Sequence, residues 1–202
     1  TINALMYDYK NNEVLDFFGG VQDLEAKRIK HVSPETFVED PLRVYRAAQF
    51  ASRFDFSIDP STQELARSMD LSEISNERDF GEFEKLLLKS STPSTGIQAL
   101  DDMGVLDTQF PEIATLKDTH QRSDYHAEGD VFIHTKMTLD KAAEIIQRFP
   151  GEKDKTIIML AALCHDLGKP ETTTSDGRAI GHEAAGVPIT EEFLSKLTND
   201  KD

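Results

Sequence analysis

The chain has 202 residues, of which 38% are hydrophobic, a formal net charge of −15 and a single cysteine, Cys164. This is enough apolar material for one to two packed domains; it excludes an internal disulfide and fits a reducing, cytoplasmic setting. The acidity argues against a broad nucleic-acid surface, which needs Lys and Arg, and neither a membrane span of roughly 20 apolar residues nor a secretory signal is expected.

The first elements read as strands. Thr1 to Asp8 and Glu13 to Phe18 are β-type runs joined by a turn-rich Asp8 to Asn12 segment, a hairpin closed by Gly19-Gly20. A lone hairpin is marginal in water, so this pair is expected to belong to a larger sheet. Val21 to Arg28 reads as a short helix and Ile29 to Val32 as a short strand. From Ser33 onward the pattern is helical. One helix opens at Asp40-Pro41 and runs to about Phe54. Others open at Asp59-Pro60, at Ser75-Asn76-Glu77-Arg78, and at Pro93-Ser94-Thr95, the last closed by Gly104. Phe110-Pro111 and the polar run Lys117 to Asp124 read as a boundary. Beyond it come a helix from about Asp130 to Phe149, an apolar helix from about Lys155 to Leu167 with Cys164 buried in it, and a polar loop from Glu171 to Arg178. A last helix lies near His182 to Leu197. The fold class is therefore mostly α with a small β part.

Two places carry chemistry. Asp40 and Arg43 stand three residues apart on one helix face that continues through Val44, Ala47, Phe50, Ala51 and Phe54. A carboxylate accepts and a guanidinium donates. Adenine and cytosine offer an amine beside a bare ring nitrogen, which matches that pair; guanine and uracil offer the reverse. The same residues also satisfy a plainer description, an N-cap with an i,i+3 ion pair. The second place is the set His126…His134, His165-Asp166-Leu-Gly-Lys169-Pro170 and Gly181-His182-Glu183-x-x-Gly186. Imidazole and carboxylate together suit a divalent metal. His134 on one helix and His165-Asp166 at the end of the next can converge on one ion.

The Glu39-Asp40-Pro-Leu-Arg43 stretch resembles the nucleotide-selecting motif of class II tRNA nucleotidyltransferases, the CCA-adding enzymes, and of bacterial poly(A) polymerases. Thr1-Ile2-Asn3 resembles the tail of that family's head motif, and Asp16-Phe-Phe-Gly-Gly20 with Asp23-Leu24 the rest of the head. Glu77-Arg78 with Glu82 resembles the Glu-Arg-x-x-x-Glu motif that braces the selecting helix. The His-Asp run resembles an HD phosphohydrolase domain. The resemblance implies a remnant of the nucleotidyltransferase head at 1–32, a helical neck with the nucleotide-selecting and RNA-binding-type region at 33–118, and an HD-like domain at 119–202. It puts the metal carboxylates and the Gly-rich triphosphate loop upstream of Thr1, so that this segment alone is expected to be inactive in transfer.

The implied activity is transfer of CMP and AMP from CTP and ATP to tRNA 3′ ends with Mg²⁺. The implied partners are ATP, CTP and the 3′ end of tRNA or another RNA. Asp40, Arg43 and Arg46 would meet the nucleotide, and Glu77, Arg78 and Glu82 would support them. Gln49 departs from the family, where many members carry Arg. At the HD site, His134, His165 and Asp166 would hold a divalent transition metal, with Lys169 and His182 on phosphate and His126 as a further site residue. A complete HD site takes a later Asp, for which Asp200 in the polar tail is a poor stand-in. The alternatives are a bacterial poly(A) polymerase, or an HD phosphohydrolase acting on 2′,3′-cyclic or 2′-phosphates with His165 and Asp166 as its working residues.

Overall fold

The structure, a computed structural model, describes residues 2–72, 74–122, 124 and 127–197. A 3-10 turn at Ile2–Ala4 leads into β1 (Leu5–Asp8), which pairs antiparallel with β2 (Glu13–Asp16), Leu5 opposite Asp16 and Asp8 opposite Glu13. The Asp8 carboxylate accepts from the backbone N–H groups of Lys10 (2.8 Å) and Asn11 (3.3 Å), which fixes the turn. β2 ends at Asp16 rather than Phe18. The Asp16 carboxylate accepts from Gly20 N (2.8 Å) and Val21 N (2.9 Å), and Gly19 at φ 74° turns the chain into α1 (Gly20–Glu25). Phe17 and Phe18 are left exposed at that turn.

β3 (Arg28–Ile29) is followed by α2 (Pro34–Val38), capped by the Ser33 hydroxyl, and by α3 (Leu42–Phe54). The helical run expected from Ser33 is interrupted by β4 (Ser57–Ile58), which pairs parallel with β3, Ile29 opposite Ile58. A two-residue strand has no periodicity to read. α4 (Pro60–Arg67) starts where Asp59 accepts from Ser61 N at 3.0 Å. Next come α5 (Asn76–Leu88), α6 (Pro93–Asp102), α7 (Val105–Gln109) and α8 (Pro111–Ala114). The remaining helices are α9 (Val131–Ile146), α10 (Glu152–Cys164), α11 (Lys169–Thr172) and α12 (His182–Leu197).

The core runs without a break from the helices of the first half to those of the second. Val44, Tyr45, Ala48 and Ala51 of α3 face it, against Phe83, Leu86 and Leu87 of α5 and Ile97 and Leu100 of α6. Phe54, expected on the buried stripe, is 41% exposed, because α3 ends there and Asp55 at φ 53° turns the chain away. Phe110, read from sequence as part of a boundary, is an interior ring. Its centroid lies 5.2 Å from Phe83, 6.2 Å from Tyr45 and 6.1 Å from Phe193. The polar run after Leu116 is pinned back by a bridge between His120 and Asp130 and by Val131 N donating to Thr119 O at 3.1 Å. Among the described residues, no helix is long and apolar enough to cross a membrane.

Candidate functional site

The first site lies at the mouth of α3. Arg43 N donates to Asp40 O at 3.0 Å, and the Asp40 carboxylate accepts from Leu42 N at 3.2 Å. Asp40 thus satisfies the N–H of the first helical residue from outside the helix, which begins at Leu42 with Pro41 as its cap residue, one residue later than the Asp-Pro pattern suggests. The i,i+3 ion pair between Asp40 and Arg43 is not formed. Instead Arg78 Nη2 of α5 stands 3.5 Å from Asp40 Oδ1. The pair is open to solvent, with the Arg78 side chain 58% exposed. Glu82 does not meet Arg78 either. It is buried and takes Lys85 Nζ at 2.9 Å, while Glu77 is exposed.

Asp40, Arg43 and Arg46 line a cavity of about 580 Å³ with Phe18, His31 and Phe50. The guanidinium carbon of Arg46 lies 5.8 Å from the centre of the Phe50 ring, a cation–π contact that holds both at the rim. Gln49 is buried, 3% exposed, and does not line the cavity. His31 carried no sequence signal. Its Nδ1 lies 2.7 Å from Thr62 Oγ1, a contact made across thirty-one residues of chain that no local pattern announces.

The second site gathers at the ends of four helices. Asp130 caps α9 by accepting from Ile133 N at 2.7 Å, which puts His134 in the first turn. His165 and Asp166 follow the last residue of α10, Lys169 opens α11 and His182 opens α12. The ligand atoms of His134, His165 and Asp166 all lie within 4.8 Å of one another. Each imidazole has an oxygen at Nδ1: Glu128 Oε1 for His134 at 2.7 Å, Ala162 O for His165 at 2.9 Å and Ala179 O for His182 at 2.7 Å. These partners assign the proton to Nδ1 and leave the lone pair on Nε2. The Nε2 atoms stand 3.9, 3.1 and 3.5 Å from the Asp166 carboxylate for His134, His165 and His182.

Imidazole lone pairs facing a buried carboxylate call for a positive charge between them. Lys169 supplies part of it, with Nζ 2.8 Å from Asp166 Oδ2. Burial works against the Asp166 charge, yet Lys169 and the His165 imidazole, when it is protonated at Nε2, hold its carboxyl down at about 2. Burial likewise opposes a charge on His165, and the bond to Asp166 outweighs it and lifts the imidazole above its ordinary value. The donor set fits a divalent cation: nitrogen and carboxylate ligands, each imidazole oriented through its far nitrogen. Glu128 was missed in the sequence as the group that orients His134. His126 and Asp200 lie outside the described residues.

A model of the poly(A) polymerase head domain matches residues 1–30, one of the probable RNA and SrmB-binding site of polymerase A matches 55–117, and one of the HD domain matches 131–199. The multifunctional CCA protein of Pasteurella multocida is 39% identical over 205 residues, covering 98% of this chain and 48% of that protein. The one from Dechloromonas aromatica is 40% identical over 203 residues, covering 98% and 47%. A solved structure of the Thermotoga maritima CCA-adding enzyme complexed with tRNA_CCA superposes with a TM-score of 0.51 at 20% identity, covering 100% of this chain and 60% of that one, a likeness of fold. In its head, RNA-binding and HD segments, the chain is of the poly(A) polymerase class of nucleotidyltransferases. It belongs to the tRNA nucleotidyltransferase (CCA-adding) and poly(A) polymerase family, and spans about half the length of the curated relatives it matches.

Proposed function

We propose that this chain supplies base selection within a tRNA nucleotidyltransferase that transfers CMP and AMP from CTP and ATP to tRNA 3′ ends. One observation carries the reading: Asp40 and Arg43 open onto a single cavity of nucleotide size, with Arg78 bridging from α5 to Asp40. With Asp40 held by Arg78 and not by Arg43, both side chains keep hydrogen-bonding capacity for a base. The carboxylate takes the exocyclic amine of adenine or cytosine, and the guanidinium gives to the ring nitrogen. Guanine and uracil would set acceptor against acceptor and donor against donor, leaving desolvated groups unpaired. Arg46 lies on the same rim, suited to the phosphate side. Residues 1–32 serve as part of the head, 33–118 as the neck and 119–202 as the HD-like domain. Mg²⁺ held by carboxylates of the head would supply the transfer chemistry. The RNA 3′ end is the second partner, and the cytoplasm is the compartment that suits it.

The test is calorimetric titration of the protein with each of ATP, CTP, GTP and UTP. ATP and CTP should bind more tightly, and Asp40→Asn should erase the preference. Equal binding of all four by the unaltered protein would remove the base-selection role.

The second site favours a further reading, a metal-dependent phosphohydrolase acting on 2′,3′-cyclic or 2′-phosphates. His134, His165 and Asp166 would hold a divalent transition metal, which would supply an activated water. Lys169 and His182 flank Asp166, Lys169 as an ammonium donor for phosphate oxygens and His182 as a donor once Nε2 is protonated. Hydrolysis of a 2′,3′-cyclic nucleotide should vanish in His165→Ala and in Asp166→Asn; a rate unchanged in either variant would exclude the assignment.

A further inference from the structure

We propose that Gln121 belongs to the phosphate seat of the HD centre, its carboxamide N–H donating to a non-bridging oxygen of a phosphomonoester or cyclic phosphodiester. The inference rests on the phosphohydrolase reading above. Gln121 lies outside the HD match at 131–199 and outside the His-Asp and Gly-His runs. Tertiary structure alone brings it in. Gln121 N donates to Gly129 O at 3.0 Å, beside the bridge between His120 and Asp130, so the segment before α9 is stitched to the start of that helix.

That stitch sets the side chain against Lys169, whose Nζ donates to Gln121 Oε1 at 2.6 Å. An ammonium can only donate, so the carboxamide oxygen must face Lys169 and the amide nitrogen must take the other side. That nitrogen, Nε2, is buried and meets no acceptor among the described residues. A buried N–H without a partner is costly, and a ligand oxygen removes the cost. Lys169 is itself buried, 8% exposed, and lies between Gln121 and Asp166. Its Nζ donates to Gln121 Oε1 and stands 2.8 Å from Asp166 Oδ2, and an ammonium carries three N–H groups in all. The Lys169 ammonium and the Gln121 carboxamide are thus joined beside Asp166, one of the candidate metal ligands. Donors of that kind suit an oxyanion, and neither competes for the ion. Gln121 therefore separates anion binding from metal binding.

The separation gives the experiment. Inorganic phosphate is titrated into the Mn²⁺-loaded protein by calorimetry, for the unaltered chain, for Gln121→Met, which keeps the volume and removes the amide, and for Gln121→Glu, which keeps an acceptor for Lys169 but removes the donor. Each variant should weaken phosphate binding about tenfold or more, and Gln121→Met should leave Mn²⁺ affinity within about twofold. Unchanged phosphate affinity in Gln121→Met, with the unaltered protein binding normally, overturns the inference and leaves the phosphohydrolase reading standing. If Gln121→Met does not fold, unchanged affinity in Gln121→Glu overturns it instead. If the unaltered, Mn²⁺-loaded protein takes up no phosphate, both fall together.

Discussion

Gly168 offers the sharpest test of how the HD centre is held. Its φ of −83° is open to any residue, so the requirement for glycine is spatial. A Cβ there would sit 2.1 Å from the carbonyl oxygen of His182, 2.5 Å from Gly186 N and 3.0 Å from Gly186 Cα. All three are backbone atoms that no rotamer change can move. Restoring ordinary contact requires α12 to withdraw by roughly 1 Å or more, since carbon contacts settle near 3.5–4.0 Å. Overpacking typically costs about 1–3 kcal/mol, and the rigid neighbours put Gly168→Ala at about 3 kcal/mol. The shift would also carry His182 away from Asp166. Gly81, inside α5, is the control, because a Cβ there meets nothing within 4 Å. Gly81→Ala should stabilise by about 0.5–1 kcal/mol through helix propensity and backbone entropy. Urea unfolding in the presence of a chelator measures both without stabilisation from bound metal. A Gly168→Ala protein that unfolds at the unaltered midpoint and keeps its Mn²⁺ affinity would refute the packing argument.

Asp79 on α5 has its carboxyl pushed up to about 6 by burial, against a hydrogen bond from Phe80 N at 2.6 Å. The folded state therefore holds this proton more tightly than the unfolded chain. The burden on stability is fully present above about pH 6 and disappears as pH falls below the ordinary carboxylate range near 3.8. Discounted for solvent, it is about 1 kcal/mol; Asp79→Asn should recover it at pH 8 and not at pH 4, and equal gains in urea melts at both pH values would contradict the assignment. Cys164 is 6% exposed and burial pushes its thiol up to about 12, so a thiol reagent should label it only on unfolding. Labelling of the native protein at the rate of a free thiol would show that the α10 core is open. The Arg78–Asp40 pair is largely solvated, so Arg78→Ala should cost less than about 1 kcal/mol of stability. It should still weaken ATP and CTP binding, and nucleotide titrations matching the unaltered protein would remove Arg78 from the site.

What the sequence made legible was chiefly local chemistry. Asp59-Pro60, Pro93 and Asp130 each mark the start of a helix, because the cap and the first turn are made by neighbours in sequence. β4 was missed for the opposite reason. Its two residues become a strand only by pairing with β3, twenty-nine positions earlier. The same division runs through the sites. Asp40 and Arg43 are visible as charges on an otherwise apolar face, but the partner that holds Asp40 is Arg78, on another helix. His165-Asp166 is visible as a pair ending an apolar helix. Glu128 and Gln121 are ordinary polar residues until the fold sets one against His134 and the other against Lys169.

Phe110 shows what joins the two sites. Its neighbours Tyr45, Phe83 and Phe193 lie on α3, α5 and α12. α3 carries Arg43, α5 carries Arg78, and α12 carries His182. Both sites are thus fastened to one aromatic cluster, in which Phe83 and Phe193 are 1% exposed and Phe110 4%. A hinge in the segment after Phe110 would first have to bring such rings into water, at roughly 1.5–3 kcal/mol for each side chain. The polar run from Lys117 cannot act as a free linker while that cluster is intact. The spacing between the cavity at the mouth of α3 and the HD-type site is therefore set by core packing, and a substitution at Phe110 should disturb both sites together.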